Sequence, residues 1–228
     1  MYADPHKWSD ASISVLVCDD GAIGRRLLIV ALEQDPHIEV VAEADGGETA
    51  LAEAVESTPD VVWLGLGLPG LAGVGLIASI GELVPSARCV VMYGPDDGEA
   101  RARSLRIGAQ AVVRRDDAPM VAVDLTRQVA WGHPWLEARD LATLRDAHVA
   151  FARQAGSVQS TLVPPRLDAE ALAVLDQLAQ GRSVAEVAEG RGWPVGRVQA
   201  TVTNALTLLQ RHARTEAMAY SVHHPETD

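Results

Sequence analysis

The residues best able to do chemistry stand at the ends of short apolar runs. Asp19 and Asp20 close the run Val15-Leu16-Val17-Cys18, and paired carboxylates of this kind hold a divalent cation, although two without a third bind Mg²⁺ weakly. Gly65-Leu66-Gly67-Leu68-Pro69-Gly70 spells GxGxxG after a later apolar run, a spacing that can cradle a dinucleotide pyrophosphate. That match lies on the third strand candidate instead of the first. Pro69 interrupts the phosphate-facing backbone, and no acidic residue ends a strand about 20 positions on. A dinucleotide-binding enzyme working through Gly65, Gly67 and Gly70 is therefore a remote alternative. Cys18 and Cys89 are the only cysteines, which excludes a disulfide framework and a four-cysteine zinc site and points to a reducing cytosol. Both are expected to be buried, reduced core residues. His133, His212, His223 and His224 lack metal-ligand spacing on a shared face. No catalytic residue, metal or cofactor is expected.

The elements that must position these groups follow from the apolar pattern. From Ile13 onward, short apolar runs alternate with amphipathic stretches, the mark of a parallel sheet with crossover helices. Strands are predicted at Ile13–Cys18, Glu39–Glu43, Val61–Leu64, Cys89–Tyr93 and Ala111–Val113. Helices are predicted at Ile23–Asp35, Gly47–Glu56, Gly73–Leu83, Glu99–Gly108 and Met120–Trp131, the first with Ile23, Leu27, Val30 and Ala31 on one face. Trp131 and Trp135 are expected to cap this domain. Leu136–Ala155 has helical spacing in Leu141, Leu144, His148 and Phe151, and the polar stretch 156–166 with Pro164-Pro165 reads as a linker. Beyond it, Leu167–Ala179, Val184–Arg191, Val195–Gln210 and Thr215–His223 read as four short helices, two of them joined by a glycine-containing turn, which suggests helix-turn-helix. The organisation is thus a tail at 1–11, an α/β domain at 12–135, a linker helix and linker at 136–166, a helical domain at 167–222 and a tail at 223–228.

Composition closes off several classes. With 228 residues, 48% hydrophobic and 22% charged, the chain is an ordinary globular protein of one to two domains. Residues 61–81 carry no charge, but six glycines and Pro69 make a poor membrane helix, and the first ten residues hold no apolar signal-peptide segment. A cytoplasmic protein with no membrane partner is expected. The net charge of −12 excludes a polybasic binder, so any nucleic-acid contact must be local.

Val15-Leu16-Val17-Cys18-Asp19-Asp20, Pro59-Asp60-Val61-Val62-Trp63-Leu64, Leu68-Pro69-Gly70 with Gly73, and Gly108-Ala109 resemble a response-regulator receiver, and the C-terminal part resembles the helix-turn-helix of the NarL/LuxR family. The resemblance covers about residues 12–220. It implies a five-stranded, doubly wound parallel sheet in the order 2-1-3-4-5, followed by a small all-α DNA-binding domain. It also implies which residues occupy the phosphorylation pocket. The family's phosphoacceptor aspartate falls on Gly65, the switch Ser/Thr on Tyr93 and the lysine on Arg115, while Asp19 and Asp20 persist. Phosphoryl transfer needs a carboxylate nucleophile, a metal held beside it and donors for the phosphate. Gly65 supplies no nucleophile, and a salt bridge from Arg115 to one of the aspartates is the expected use of both.

In the C-terminal part the family's apolar positions fall on Leu167, Val174, Leu175, Leu178 and Val198, with Ser183, Glu186 and Gly192 between them, whereas Asp168-Ala169-Glu170-Ala171 replaces Thr-Pro-Arg-Glu. Pro194 takes a Ser/Thr cap position. On the recognition helix, Val198, Val202, Ala205, Leu206 and Leu209 follow core spacing and leave Arg197, Gln199, Ala200, Thr203, Asn204 and Thr207 outward. Gln199 suits an adenine edge, Ala200 and Thr203 a thymine methyl, and Arg197 or Asn204 a phosphate. Residues 1–136 carry −10 of the net charge and residues 167–220 carry −1, where a basic patch is the ordinary expectation. The reading is a homodimeric transcription regulator of response-regulator type that binds double-stranded promoter DNA without phosphorylation, gated by a small ligand in the vacated cleft or by a partner. The alternative is an interaction module with a degenerate helix-turn-helix.

Overall fold

The structure is a computed structural model that describes the backbone of residues 12–70, 73–95, 98–155 and 167–223. The expected tails at 1–11 and, beyond His223, 224–228 lie outside the described residues, as do the Pro-containing stretch 156–166 and the side chains of His148, Phe151, His212, His223 and His224. The chain divides into two compact units after Trp135.

In the first unit, β1 (Ile13–Cys18), β2 (Ile38–Ala44), β3 (Val61–Gly65), β4 (Arg88–Tyr93) and β5 (Ala109–Arg114) alternate with α1 (Ala22–Leu32), α2 (Gly47–Ser57), α3 (Gly73–Leu83), α4 (Gly98–Ile107) and α5 (Ala118–Ala130). The strands form one parallel sheet in the order β2-β1-β3-β4-β5. Every residue of the central strand β3 is buried, as a strand covered on both faces must be, whereas β2, at the sheet edge, is partly exposed, with Glu39 and Glu43 on the exposed side. Val15, Val17, Trp63, Val90 and Met92 pack on one face with residues of α1 and α5, while α2, α3 and α4 neighbour one another. Inside this layer the Trp63 indole N–H donates to Thr126 Oγ1 at 3.0 Å. Thr126→Val leaves that buried donor without its acceptor and is expected to cost about 1–2 kcal/mol in a urea melt.

The inner face of α1 is not the one that Ile23, Leu27 and Val30 share. Leu28, Ile29 and Leu32 are buried, whereas Ile23 is 81% exposed, and Leu27 and Val30 are exposed as well. The helix is apolar on two stripes, so its anchor decides. Arg25 Nη1 donates to the Asp19 carbonyl at 2.6 Å and its Nε to Glu43 at 3.2 Å, which turns the stripe containing Arg25, Leu28, Ile29 and Leu32 toward the sheet. The two tryptophans also part company. Trp135 is half-buried against the core and its N–H bonds the Gln110 carbonyl, whereas Trp131, at the α5 C-cap, is 46% exposed.

The second unit contains α6 (Ala138–Ala155), α7 (Ala169–Ala179), α8 (Val184–Arg191) and α9 (Val195–His223). The helix expected within 136–166 packs into this unit. Leu141 joins the core of Val174, Leu175, Leu178, Val187 and Val198, and Arg145 pairs with Asp176 of α7 at 2.9 Å. The expected break between Gln210 and Thr215 is corrected: α9 runs continuously for 29 residues. Nothing in Arg211-His212-Ala213-Arg214 interrupts a helix, since it holds neither glycine nor proline.

Candidate functional site

Parallel strands bring their carboxyl ends to one edge, and the register Cys18↔Leu64, Gly65↔Met92 and Tyr93↔Arg114 places the ends of β1, β3, β4 and β5 beside one another. Asp19, Asp20, Gly65, Tyr93 and Arg115 all occur there, at the switch point of the sheet. Arg115 Nη1 lies 3.0 Å from Asp19 Oδ1 and 3.1 Å from Asp20 Oδ1, so one guanidinium spans both carboxylates. Its backbone N–H is fixed by the Tyr93 carbonyl at 2.9 Å. Asp19 is buried, while Arg115 is one-third exposed. Burial raises the Asp19 carboxyl above the usual carboxylate range, and its hydrogen bond with Asp20 adds to this, against the lowering by the Gly21 N–H and Arg115. Asp20 moves the other way, lowered first by the hydrogen bond shared with Asp19 and then by Arg115.

Gly65 is what lets the guanidinium in. A Cβ on Gly65 would sit 3.0 Å from Arg115 Nη2 and 3.1 Å from Asp19 Oδ1, tighter than ordinary contact. The Mg²⁺ that the receiver resemblance implies does not fit here: Arg115 already bridges Asp19 and Asp20, and among the described residues no group of three or more His, Cys, Asp or Glu side chains is placed to hold a metal ion. A cleft of about 360 Å³ opens beside the cluster, lined among others by Asp20, Gly67, Tyr93, Arg114 and Arg115. Tyr93 is buried at its base, with the Arg101 guanidinium 5.6 Å from the ring centroid.

The GxGxxG loop serves packing. A Cβ on Gly67 would lie 3.5 Å from both Arg115 Nη2 and Asp20 Oδ2, so the loop packs against the Arg115–Asp20 ion pair. The Pro69 carbonyl accepts the Gly47 N–H at the start of α2, and Gly70 has φ +81°, with the Glu48 carboxylate occupying the space a Cβ would take. Cys18 and Cys89 are free and buried. Burial, then the nearby Cys89, pushes the Cys18 thiol up, away from the reactive thiolate.

In the second unit the local signals for helix ends are explicit. Asp168 caps α7 by accepting the Ala171 N–H at 2.7 Å. Ser183 and Glu186 form a capping box at the start of α8, and Gly192 ends that helix at φ +65°, a conformation that glycine adopts freely. Pro194 offers no side-chain cap, but its carbonyl accepts the Arg197 N–H at 2.9 Å. On α9, Val198, Val202, Ala205 and Leu206 are buried, Arg197, Asn204 and Thr207 are exposed, and Gln199, Ala200 and Thr203 are half-buried. Arg197 is already engaged, with Nη2 3.0 Å from Glu170 Oε1 and its guanidinium 3.9 Å from the Trp193 ring centroid. Glu170 and Trp193 escaped the sequence reading, because Glu170 lies 27 residues from Arg197 and only the α7–α9 packing joins them.

Residues 15–121, which lie within the first unit, match the family model described as the response regulator receiver domain. The chain as a whole is similar to transcriptional regulators. It is 27% identical over 209 residues to the transcriptional regulatory protein LiaR of Bacillus subtilis, covering 92% of this chain and 96% of that protein. It is likewise 27% identical over 209 residues to the DNA-binding transcriptional activator DevR/DosR of Mycobacterium tuberculosis, covering 92% and 94% of the two chains. In fold it resembles RcsB of Salmonella enterica serovar Typhimurium, solved bound to promoter P1flhDC with the phosphomimetic BeF3−, with TM-score 0.53 and 19% identity over 87% of this chain and 92% of that one. No described helix is long and apolar enough to cross a membrane.

Proposed function

We propose that the protein is a DNA-binding transcription regulator of response-regulator type whose receiver works without phosphorylation. The observation that carries this reading is the Arg115 guanidinium bridging Asp19 and Asp20 beside Gly65, where phosphoryl transfer needs a nucleophile and a metal. In the proposed scheme the receiver is no enzyme but a scaffold held in one state, and the cleft beside Tyr93 and Arg115 is where a small ligand would act on it. The helix-turn-helix binds double-stranded promoter DNA as a homodimer in the cytoplasm, because one short recognition helix reads few bases and twofold half-sites multiply the contacts.

The outward residues of α9 divide by chemistry. Gln199 suits a bidentate contact to adenine, Ala200 and Thr203 suit a thymine methyl, and Arg197 and Asn204 suit phosphate. Genome-wide binding, followed by a gel shift on the protein's own promoter, tests the scheme. Gln199→Ala is expected to weaken the shift roughly 10-fold or more and relax preference at one base pair, and Arg197→Ala to weaken all sequences alike. A second reading, an interaction module with a degenerate helix-turn-helix, draws on the −1 charge of residues 167–220. Absence of any promoter shift, with indifference to both substitutions, would favour it.

A further inference from the structure

The start of α9 carries an arrangement that the proposed DNA contact does not by itself require. Trp193, in the turn between α8 and α9, has two guanidinium groups over its ring, Arg197 at 3.9 Å and Arg191 at 4.9 Å from the centroid. Two like charges on one indole repel, and the fork of Arg197 is met by a single carboxylate, Glu170 Oε1 at 3.0 Å. Among the described residues Arg191 makes no ion pair, so the cluster keeps one positive charge beyond the pair. Stacking on the indole fixes the plane of the Arg197 guanidinium, and a fixed fork is suited to a phosphate.

On the reading that this unit binds DNA, we infer that Glu170 is an internal stand-in for a backbone phosphate, holding Arg197 in its binding orientation until DNA displaces the carboxylate. The displacement is a change of acceptor with no bond made or broken. Both Arg197 and Glu170 are about half exposed, so the pair is weak enough to exchange, and a phosphate fork is at least as good an acceptor as a carboxylate. Glu170 is then a positioning residue that sets affinity and salt dependence, and part of the missing positive charge of this domain is masked by it.

Titration of the full-length chain with a fluorescent fragment of its own promoter over a range of salt concentrations tests this. Glu170→Gln is expected to tighten binding about three- to fivefold, the scale of an exposed ion pair, and to steepen the slope of log K against log salt by about 0.5–1. In the Arg197→Ala background the same substitution is expected to change affinity less than about 1.5-fold, because its effect passes through Arg197. Wild-type binding with no change in Glu170→Gln overturns the inference. Equal tightening in both backgrounds overturns it too, since the effect would then be bulk charge. Binding by neither the wild type nor Glu170→Gln overturns the DNA reading itself, a distinct outcome.

Discussion

Incubation of the full-length chain with acetyl phosphate and Mg²⁺ is expected to leave its intact mass unchanged, because Gly65 offers no nucleophile and Arg115 occupies the space between the two aspartates. The physical content lies in the variants. Gly65→Asp alone places a third carboxylate against a guanidinium that already lies 3.0 Å from the Cβ position. The expected product is a tighter ion-pair cluster, still unlabelled, because a cation with several donors stays where Mg²⁺ would have to enter. Gly65→Asp with Arg115→Lys replaces the broad fork by a compact ammonium on a flexible stem, and phosphoryl labelling is expected to appear first in this double variant. A phosphoryl adduct on an aspartate of the wild type, read by intact-mass spectrometry, contradicts the locked pocket.

Arg115→Ala is expected to destabilise the first unit by about 2–3 kcal/mol at neutral pH, measured by urea unfolding. The substitution leaves the buried Asp19 carboxylate beside Asp20 without its cation. The figure is held below the full cost of orphaning a buried charge because Arg115 is one-third exposed, so water replaces part of its interaction. The pH dependence has a definite sign. The Asp19 carboxyl is raised in the folded chain, so its contribution favours folding below the ordinary carboxylate value and is lost as pH rises through the raised value. Asp20 is lowered, and contributes stability above its ordinary value that is lost as pH falls. Removing Arg115 takes away a cation that favours both ionised forms, so the deficit of Arg115→Ala is expected to shrink on acidification. Asp19→Asn in the same background is expected to recover most of the loss. A deficit that grows on acidification, or no recovery, contradicts the assignment.

The legible parts of this protein were those where chain order maps directly onto place. Runs such as Val61-Val62-Trp63-Leu64 can only be strands buried on both faces, and once a parallel sheet follows, Asp19, Asp20, Gly65, Tyr93 and Arg115 fall at one edge because each stands at or just after a strand's carboxyl end. What stayed hidden depended on partners distant in sequence. Two apolar stripes run along α1, and the choice of Leu28, Ile29 and Leu32 over Ile23, Leu27 and Val30 follows from Arg25 reaching Asp19 and Glu43. That Arg115 spans both aspartates instead of one is a matter of side-chain reach. Trp193 and Arg197 stand four residues apart, but Glu170 joins them only through the packing of α7 on α9.

The proposed DNA-binding unit is close to neutral. Residues 167–220 carry −1, and Glu170, one of their six acids, is spent on Arg197. A modest electrostatic contribution to binding is therefore expected, with a shallow salt dependence and a larger share of affinity from base contacts such as Gln199.

The most direct test of a phosphorylation-independent regulator is one titration of the full-length chain against its own promoter fragment, run with and without acetyl phosphate and Mg²⁺, with a scrambled fragment alongside. The expected result is saturable binding, selective for the promoter, with superimposable curves in the two conditions. Tightening that depends on the phosphodonor, or binding no stronger than to the scrambled fragment, would contradict it.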